Sequence, residues 1–158
     1  MGSIKYKSIG IIHTPFADDN EIPRQSTSAF DISGHILLFK KYTKGLMDLD
    51  KFSHIMVIFH LHLVTSKELV SHPPWDKKLG IFSTCSPYRP NPIGISIVKL
   101  NKIRKNKLYI SGIDMADGTP VLDIKPYIPS LYPKKNIIVG WDKEKINIMK
   151  TGKSKIIR

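Results

Sequence analysis
The densest chemistry in this chain lies in one short run. Ser86-Pro87-Tyr88-Arg89-Pro90-Asn91-Pro92-Ile93-Gly94 holds three of the eleven prolines and one of only four arginines. Each proline fixes φ and pushes the residue before it toward extended geometry, which predicts a stiff, irregular loop with few ladder hydrogen bonds of its own. Arg89 presents a planar, two-pronged donor that lysine cannot reproduce. Rigid backbone around such a fork suits the wall of a ligand site; a Pro-rich connector between strands is the plainer alternative. Arg24 is also proline-flanked, in Pro23-Arg24-Gln25-Ser26-Thr27-Ser28. A third cluster, Asp114-Met115-Ala116-Asp117-Gly118-Thr119-Pro120, marks a tight turn after an apolar stretch. Its two carboxylates beside backbone amides suit a cationic or hydroxyl-rich ligand, such as a sulfonium, an α-amino group or a ribose. The alternative is a turn with no ligand.

His54, His60 and His62 share one parity in an apolar stretch, so on a strand they project to one face. With Glu68 they are similar to the metal motif of cupins, but the glutamate falls one residue late and the flanking glycines are missing. A pocket histidine or a hydrogen-bonded core histidine is the preferred reading of His62, and no metal is expected. Other chemistries are excluded outright. No two glycines are separated by a single residue, so there is no dinucleotide fingerprint; Gly152-Lys153 lacks the upstream glycine of a P-loop. Gly94-Ile95-Ser96-Ile97-Val98 lacks the closing glycine of a nucleophile elbow.

The elements that must position these groups are mostly strands. Residues 8–13, 52–63, 80–83, 95–100, 107–112 and 121–124 are rich in β-branched and aromatic residues. Leu38, Tyr42, Leu46 and Leu49 recur near helical spacing and predict a short helix or helical turn. Residues 17–34 and 68–75 read as loops, and 101–106 as a polar turn. Many short strands, few helices and no alternation of strand with helix predict a mainly β, single-domain barrel with short helices and long functional loops. Residues 1–141 form that domain in this reading. Residues 142–158 are a basic tail, with a small appended strand at 137–141.

A chain of 158 residues is long enough to bury a core. No run approaches the ~20 apolar residues of a membrane span, the start lacks an apolar signal region, and a lone cysteine, Cys85, fits a reducing compartment. A cytoplasmic location with no membrane partner is expected. Twenty-five basic residues against thirteen acidic ones give a formal charge of +12. That field favours a polyanionic partner, although an AT-rich genome would also raise the lysine content.

Taken together, these motifs resemble the TrmO family (also called TsaA- or YaeB-like) of S-adenosylmethionine-dependent tRNA methyltransferases. The resemblance runs from Ile9 to about Trp141. It rests on Ile9-Gly10-Ile11-Ile12-His13-Thr14-Pro15-Phe16, Pro23-Arg24-Gln25, Phe52-Ser53-His54-Ile55, Arg89-Pro90-Asn91-Pro92-Ile93-Gly94, and Asp117-Gly118-Thr119-Pro120 running into Asp123-Ile124-Lys125-Pro126-Tyr127. It implies a β-barrel cofactor domain and a homodimer whose cofactor site draws on both protomers. It also implies methylation at N6 of the adenosine 3′ of the tRNA anticodon, already threonylcarbamoylated. The positions matching the family's S-adenosylmethionine contacts are Pro23, Arg24, Gln25, His62, Leu63, Arg89, Asp117, Gly118, Thr119 and Pro120, with Ile95 against the adenine. Two departures stand out: Thr84-Cys85-Ser86-Pro87 has Cys85 where members often carry arginine, and Ser130-Leu131-Tyr132-Pro133 replaces a stretch that is often acidic.

In-line methyl transfer depends on positioning, with Arg89 or Arg24 reaching a carboxylate on cofactor or substrate. Asp117, His62 and His54 are candidate acceptors for the N6 proton, and the sequence does not choose among them. The competing readings are a methyltransferase of the same fold acting on another substrate, a metal-dependent cupin-like oxygenase, and a non-catalytic RNA-binding barrel.

Overall fold
The computed structural model describes residues 2–16, 22–23, 29, 31–73 and 78–140. Strands β1 (Gly10–His13), β2 (Ser33–Leu38), β3 (His54–His60), β6 (Ile93–Arg104), β7 (Lys107–Ser111) and β8 (Pro120–Pro126) close into an antiparallel barrel, in the spatial order β1-β2-β7-β6-β3-β8. A separate hairpin pairs β4 (Val70–Ser71) with β5 (Leu79–Gly80). Closure follows from alternation. Ile12, Ile36, Ile55, Val57, Val98, Leu108, Ile110 and Val121 all point inward with no exposed surface. Their sequence neighbours point outward because successive strand side chains alternate. The strands close on one another in a ring, but β7 joins β6 only from Lys99 onward, so residues 93–98 have a strand partner on one side alone, β3.

Several expectations are corrected. β2 lies partly in the stretch read as a loop; Gly34 and His35 hid its inward pair, Ile36 and Leu38. Leu38, the first residue of the helical spacing, is the last residue of β2, and the helical turn that follows is a 3-10 helix at Lys40–Leu46. Tyr42, Leu46 and Leu49 do pack against the core. The strand expected over 80–83 is a 3-10 turn, Ile81–Ser83, after the two residues of β5, and the loop at 68–75 contains β4. β6 runs through most of the expected 101–106 turn. A register shift between Leu100 and Lys102 lets Lys102 face outward while Ile103 still pairs with Leu108. β3 stops at His60: the next amide, Leu61 N–H, still donates to Pro92 O at 2.8 Å in the same register, but Pro92 has no N–H with which to return the bond. Residues 137–140 form no strand, and the tail at 142–158 lies outside the described residues. No helix among the described residues is long and apolar enough to cross a membrane.

Candidate functional site
The site is built where β6 enters the barrel. Its inward row begins Gly94, Ser96, Val98, Leu100, and the first two positions are small or polar where the rest are apolar. A Cβ on residue 94 would collide with the Phe59 ring, so glycine is what allows that ring to lie across the strand. Next along, the buried Ser96 hydroxyl donates to Asp114 Oδ1 at 2.6 Å. The barrel mouth therefore has an aromatic wall and an anionic floor.

The proline-rich run follows the expected form. Arg89 N–H donates to Pro87 O at 2.7 Å and Ile93 N–H to Asn91 O at 2.8 Å, both closing three-residue turns. Two outside contacts pin it: Glu68 N–H to Tyr88 O at 2.9 Å and Leu61 N–H to Pro92 O. Arg89 Nη1 donates to Thr84 O at 2.8 Å and Ile81 O at 3.2 Å, and the guanidinium carbon lies 5.8 Å from the Phe82 ring centre. Arg89 thus clamps the 81–84 segment beside the mouth.

The Asp117-Gly118-Thr119-Pro120 turn faces two ways. Gly118 has φ of 76°, a conformation that favours glycine, and its N–H donates to Ile12 O at 2.9 Å. Asp117 turns toward β1: its Oδ1 accepts from Thr14 N–H at 2.9 Å and lies 3.4 Å from His13 Nδ1. Thr119 turns the other way. It is buried, donates to Ala116 O at 2.8 Å, and its hydroxyl lies 3.4 Å from His62 Nδ1.

These pieces surround a cleft of about 890 Å³. Of the expected site residues, Pro23, His62, Leu63, Arg89, Ile95 and Thr119 line it, as does His54. Asp117, Gly118 and Pro120 do not line it; they form the turn behind Thr119. Arg24 and Gln25 lie outside the described residues. Ser96 was missed, and of the two carboxylates in the 114–120 cluster, Asp114 rather than Asp117 faces the cleft. The signal for Ser96 was present in Gly-Ile-Ser-Ile-Val-Lys-Leu, where a strict alternation puts Gly94 and Ser96 on the core face. Cys85 also lines the cleft and is exposed. A smaller hollow of about 540 Å³ lies beside the Lys40–Leu46 helix, but its acids are already paired, Asp48 with Lys51 and Asp123 with Lys125. Among the described residues no three His, Cys, Asp or Glu side chains group to hold a metal ion.

Comparison with known proteins agrees with this geometry. The family described as tRNA-methyltransferase O N-terminal domain matches residues 11–131. A probable S-adenosyl-L-methionine-binding protein of Pyrococcus abyssi is 45% identical over 139 residues, 87% of this chain and 76% of that protein. The human tRNA (adenine(37)-N6)-methyltransferase is 37% identical over 145 residues, 87% of this chain but only 33% of the human protein. The crystal structure of TrmO from Pseudomonas aeruginosa superposes with a TM-score of 0.76 at 34% identity, covering 88% of this chain and 62% of that one. This chain thus spans three-quarters of the archaeal protein and a third of the human enzyme.

Proposed function
This chain belongs to the tRNA-methyltransferase O family, and we propose that it uses S-adenosylmethionine to methylate N6 of the adenosine 3′ of a tRNA anticodon, an adenosine already carrying a threonylcarbamoyl group. The observation that carries the reading is the meeting of Pro23, His62, Leu63, Arg89, Ile95 and Thr119, which match the family's cofactor contacts, in one cleft.

The cleft suits that cofactor chemically. Its volume falls within the range of small-molecule sites. Leu61, Ile95 and Met115 offer apolar surface to a purine, and the Ser96–Asp114 pair offers an anionic acceptor to ribose hydroxyls or an α-amino group. When bound, S-adenosylmethionine supplies an electrophilic methyl group on its sulfonium. The chain's own residues then have two tasks. The Arg89-clamped wall and the Thr119 turn hold the reactants in line, where orientation supplies much of the acceleration. The proton lost from N6 passes to an acceptor within the cleft, His62, His54 or Asp114, rather than to Asp117, which does not line it.

The family resemblance also implies a homodimer, and the outer face of β6 supports one. Ile93, Ile95 and Ile97 stand 38%, 63% and 37% exposed in a row along the open side of the cleft. A contiguous apolar row of this kind is characteristic of a protein interface. A second copy laid over it would also enclose the cofactor. Ile95→Glu is then expected to give monomers in sedimentation and to weaken cofactor binding together.

One observation favours a second reading, the same cofactor chemistry on a different acceptor: the cleft carries Cys85 where family members often have arginine. Calorimetric titration with S-adenosylmethionine, followed by transfer of labelled methyl to tRNA with and without the threonylcarbamoyl group, separates the cases. Binding near one per chain with transfer only to the modified tRNA supports the main reading. Binding without transfer to either tRNA supports the second. No binding, with or without RNA, removes both.

A further inference from the structure
A line of aromatic and basic side chains crosses four adjacent strands on the outside of the barrel. His13 on β1 pairs in register with His35 on β2, His35 with Tyr109 on β7, and Tyr109 with Lys102 on β6. His13, His35 and Tyr109 face outward, because their neighbours Ile12, Ile36, Leu108 and Ile110 point into the core, and Lys102 is exposed beside Tyr109. The rings are in contact: His13 and His35 have centroids 4.9 Å apart, and His35 and Tyr109 6.1 Å. Lys102 Nζ lies 4.6 Å and Lys107 Nζ 5.9 Å from the Tyr109 ring centre.

The β6 bulge makes this line. Leu100 pairs with Ile110, so an unbroken ladder would set Asn101 opposite Tyr109; the shift sets Lys102 there. Bulges commonly re-aim a side chain, and here the effect is to put a cation over the outermost ring. Arg104 and Lys107, paired two rungs farther on, extend the positive end. At its other end the line reaches the back of the turn, residues 117–120, that borders the cleft. His13 Nδ1 lies 3.4 Å from Asp117 Oδ1, and a Cβ on the next residue, Gly118, would stand 3.9 Å from His62 Nε2.

We propose that His13, His35, Tyr109, Lys102 and Lys107 form a docking surface for a single-stranded segment of RNA, on which bases stack against the rings while phosphates meet the lysines. Charge complementarity selects this occupant. The chain carries +12, and aromatic rings interleaved with lysines on a sheet face match the two needs of unpaired nucleotides, a stacking partner and a counter-charge. Three strand spacings of about 4.8 Å span about 14 Å, comparable to sheet faces on which about two or three bases stack. A segment lying along the line is led toward His62 and the cleft mouth. The inference rests on the tRNA reading only for which RNA is bound; the surface chemistry stands on the chain itself.

The test is fluorescence anisotropy with a labelled, unstructured RNA of about twelve nucleotides, a length within the usual single-strand site sizes. The same RNA annealed to its complement is the second probe. Tyr109→Ala is expected to weaken single-strand binding about tenfold, and Tyr109→Phe to retain it. Lys102→Gln with Lys107→Gln, which spares the rings, should reduce the slope of log affinity against log salt by about 1.4. Affinity for S-adenosylmethionine, read separately by calorimetry, is expected to stay unchanged in every variant. The proposal is overturned if the wild-type protein does not bind the single strand or prefers the duplex, if the lysine pair leaves the salt slope unaltered, or if Tyr109→Ala changes the sedimenting mass, which would make the face an interface between copies. Loss of cofactor binding in the wild-type protein with the Tyr109 effect intact would sink the methyltransferase reading and leave this surface standing.

Discussion

The Ser96 hydroxyl donates a 2.6 Å hydrogen bond to Asp114 Oδ1, joining the fourth residue of β6 to the loop that follows β7. It is the polar anchor in the otherwise apolar inward row of β6, and it turns Asp114 toward the cleft. Hydrogen bonds to a charged group contribute about 1.5–3 kcal/mol. Ser96→Ala is accordingly expected to lower unfolding free energy by about 1–3 kcal/mol in urea titrations. Asp114→Asn keeps the shape but removes the charge, and should weaken S-adenosylmethionine binding by about tenfold. Unchanged affinity would show that the acid only holds β6 to β7.

Gly94 is fixed by the Phe59 ring that lies over it. Gly94→Ala should destabilise the protein by about 1–3 kcal/mol through overpacking. Adding Phe59→Leu to Gly94→Ala is expected to recover part of that loss, because the smaller side chain vacates the contested volume. Additive losses in the double variant would count against direct contact.

Arg89 holds two carbonyls and lines the cleft, so its structural and binding roles can be separated. Arg89→Ala should expose the 81–84 segment to proteases and abolish detectable cofactor binding, with the barrel's circular dichroism unchanged. Arg89→Lys restores donors to the carbonyls but not the planar fork for a carboxylate. Protease resistance should return while cofactor affinity does not. Return of both would make Arg89 a loop clamp alone.

Cys85 is the single cysteine, exposed and in the cleft wall, which makes it a reporter needing no engineering. Its reaction with a disulfide reagent should slow as S-adenosylmethionine is added, following the calorimetric binding curve, because access governs thiol exchange. A rate indifferent to saturating cofactor would place the ligand elsewhere.

His35 titrates below the ordinary histidine range, first because of partial burial and then because Lys107 and His13 stand near it, with Asp117 opposing. The folded state therefore resists protonation that the unfolded chain accepts. His35 costs no stability above the unfolded value of about 6.5; the cost grows as pH falls below that and levels off once pH passes the folded value. Urea midpoints compared between wild type and His35→Gln should diverge below about pH 6.5, with the wild type losing more. Parallel profiles would mean that His35 protonates equally in both states.

What the sequence determined by itself was whatever depends on near neighbours. Proline spacing predicted the stiffness of residues 86–94, and β-branched and aromatic content predicted strands over residues 95–100 and 107–112. Five ordered motifs identified the family, and the absence of alternating strand and helix pointed to a barrel rather than a doubly wound sheet. Even Ser96 was legible, as a polar residue at an inward parity. Tertiary structure decided matters that depend on which segments meet. β2 was hidden because Gly34 and His35 weaken its pattern, and it exists because β1 and β7 supply ladders on both sides. Asp114 and Asp117 are three residues apart and alike in type, yet one faces the cleft and the other faces His13, because Gly118 reverses the chain just after them. The line from His13 to Lys102 joins residues far apart in sequence through three registers and one bulge. Register is a property of strand pairs, so no single segment carried the information for it.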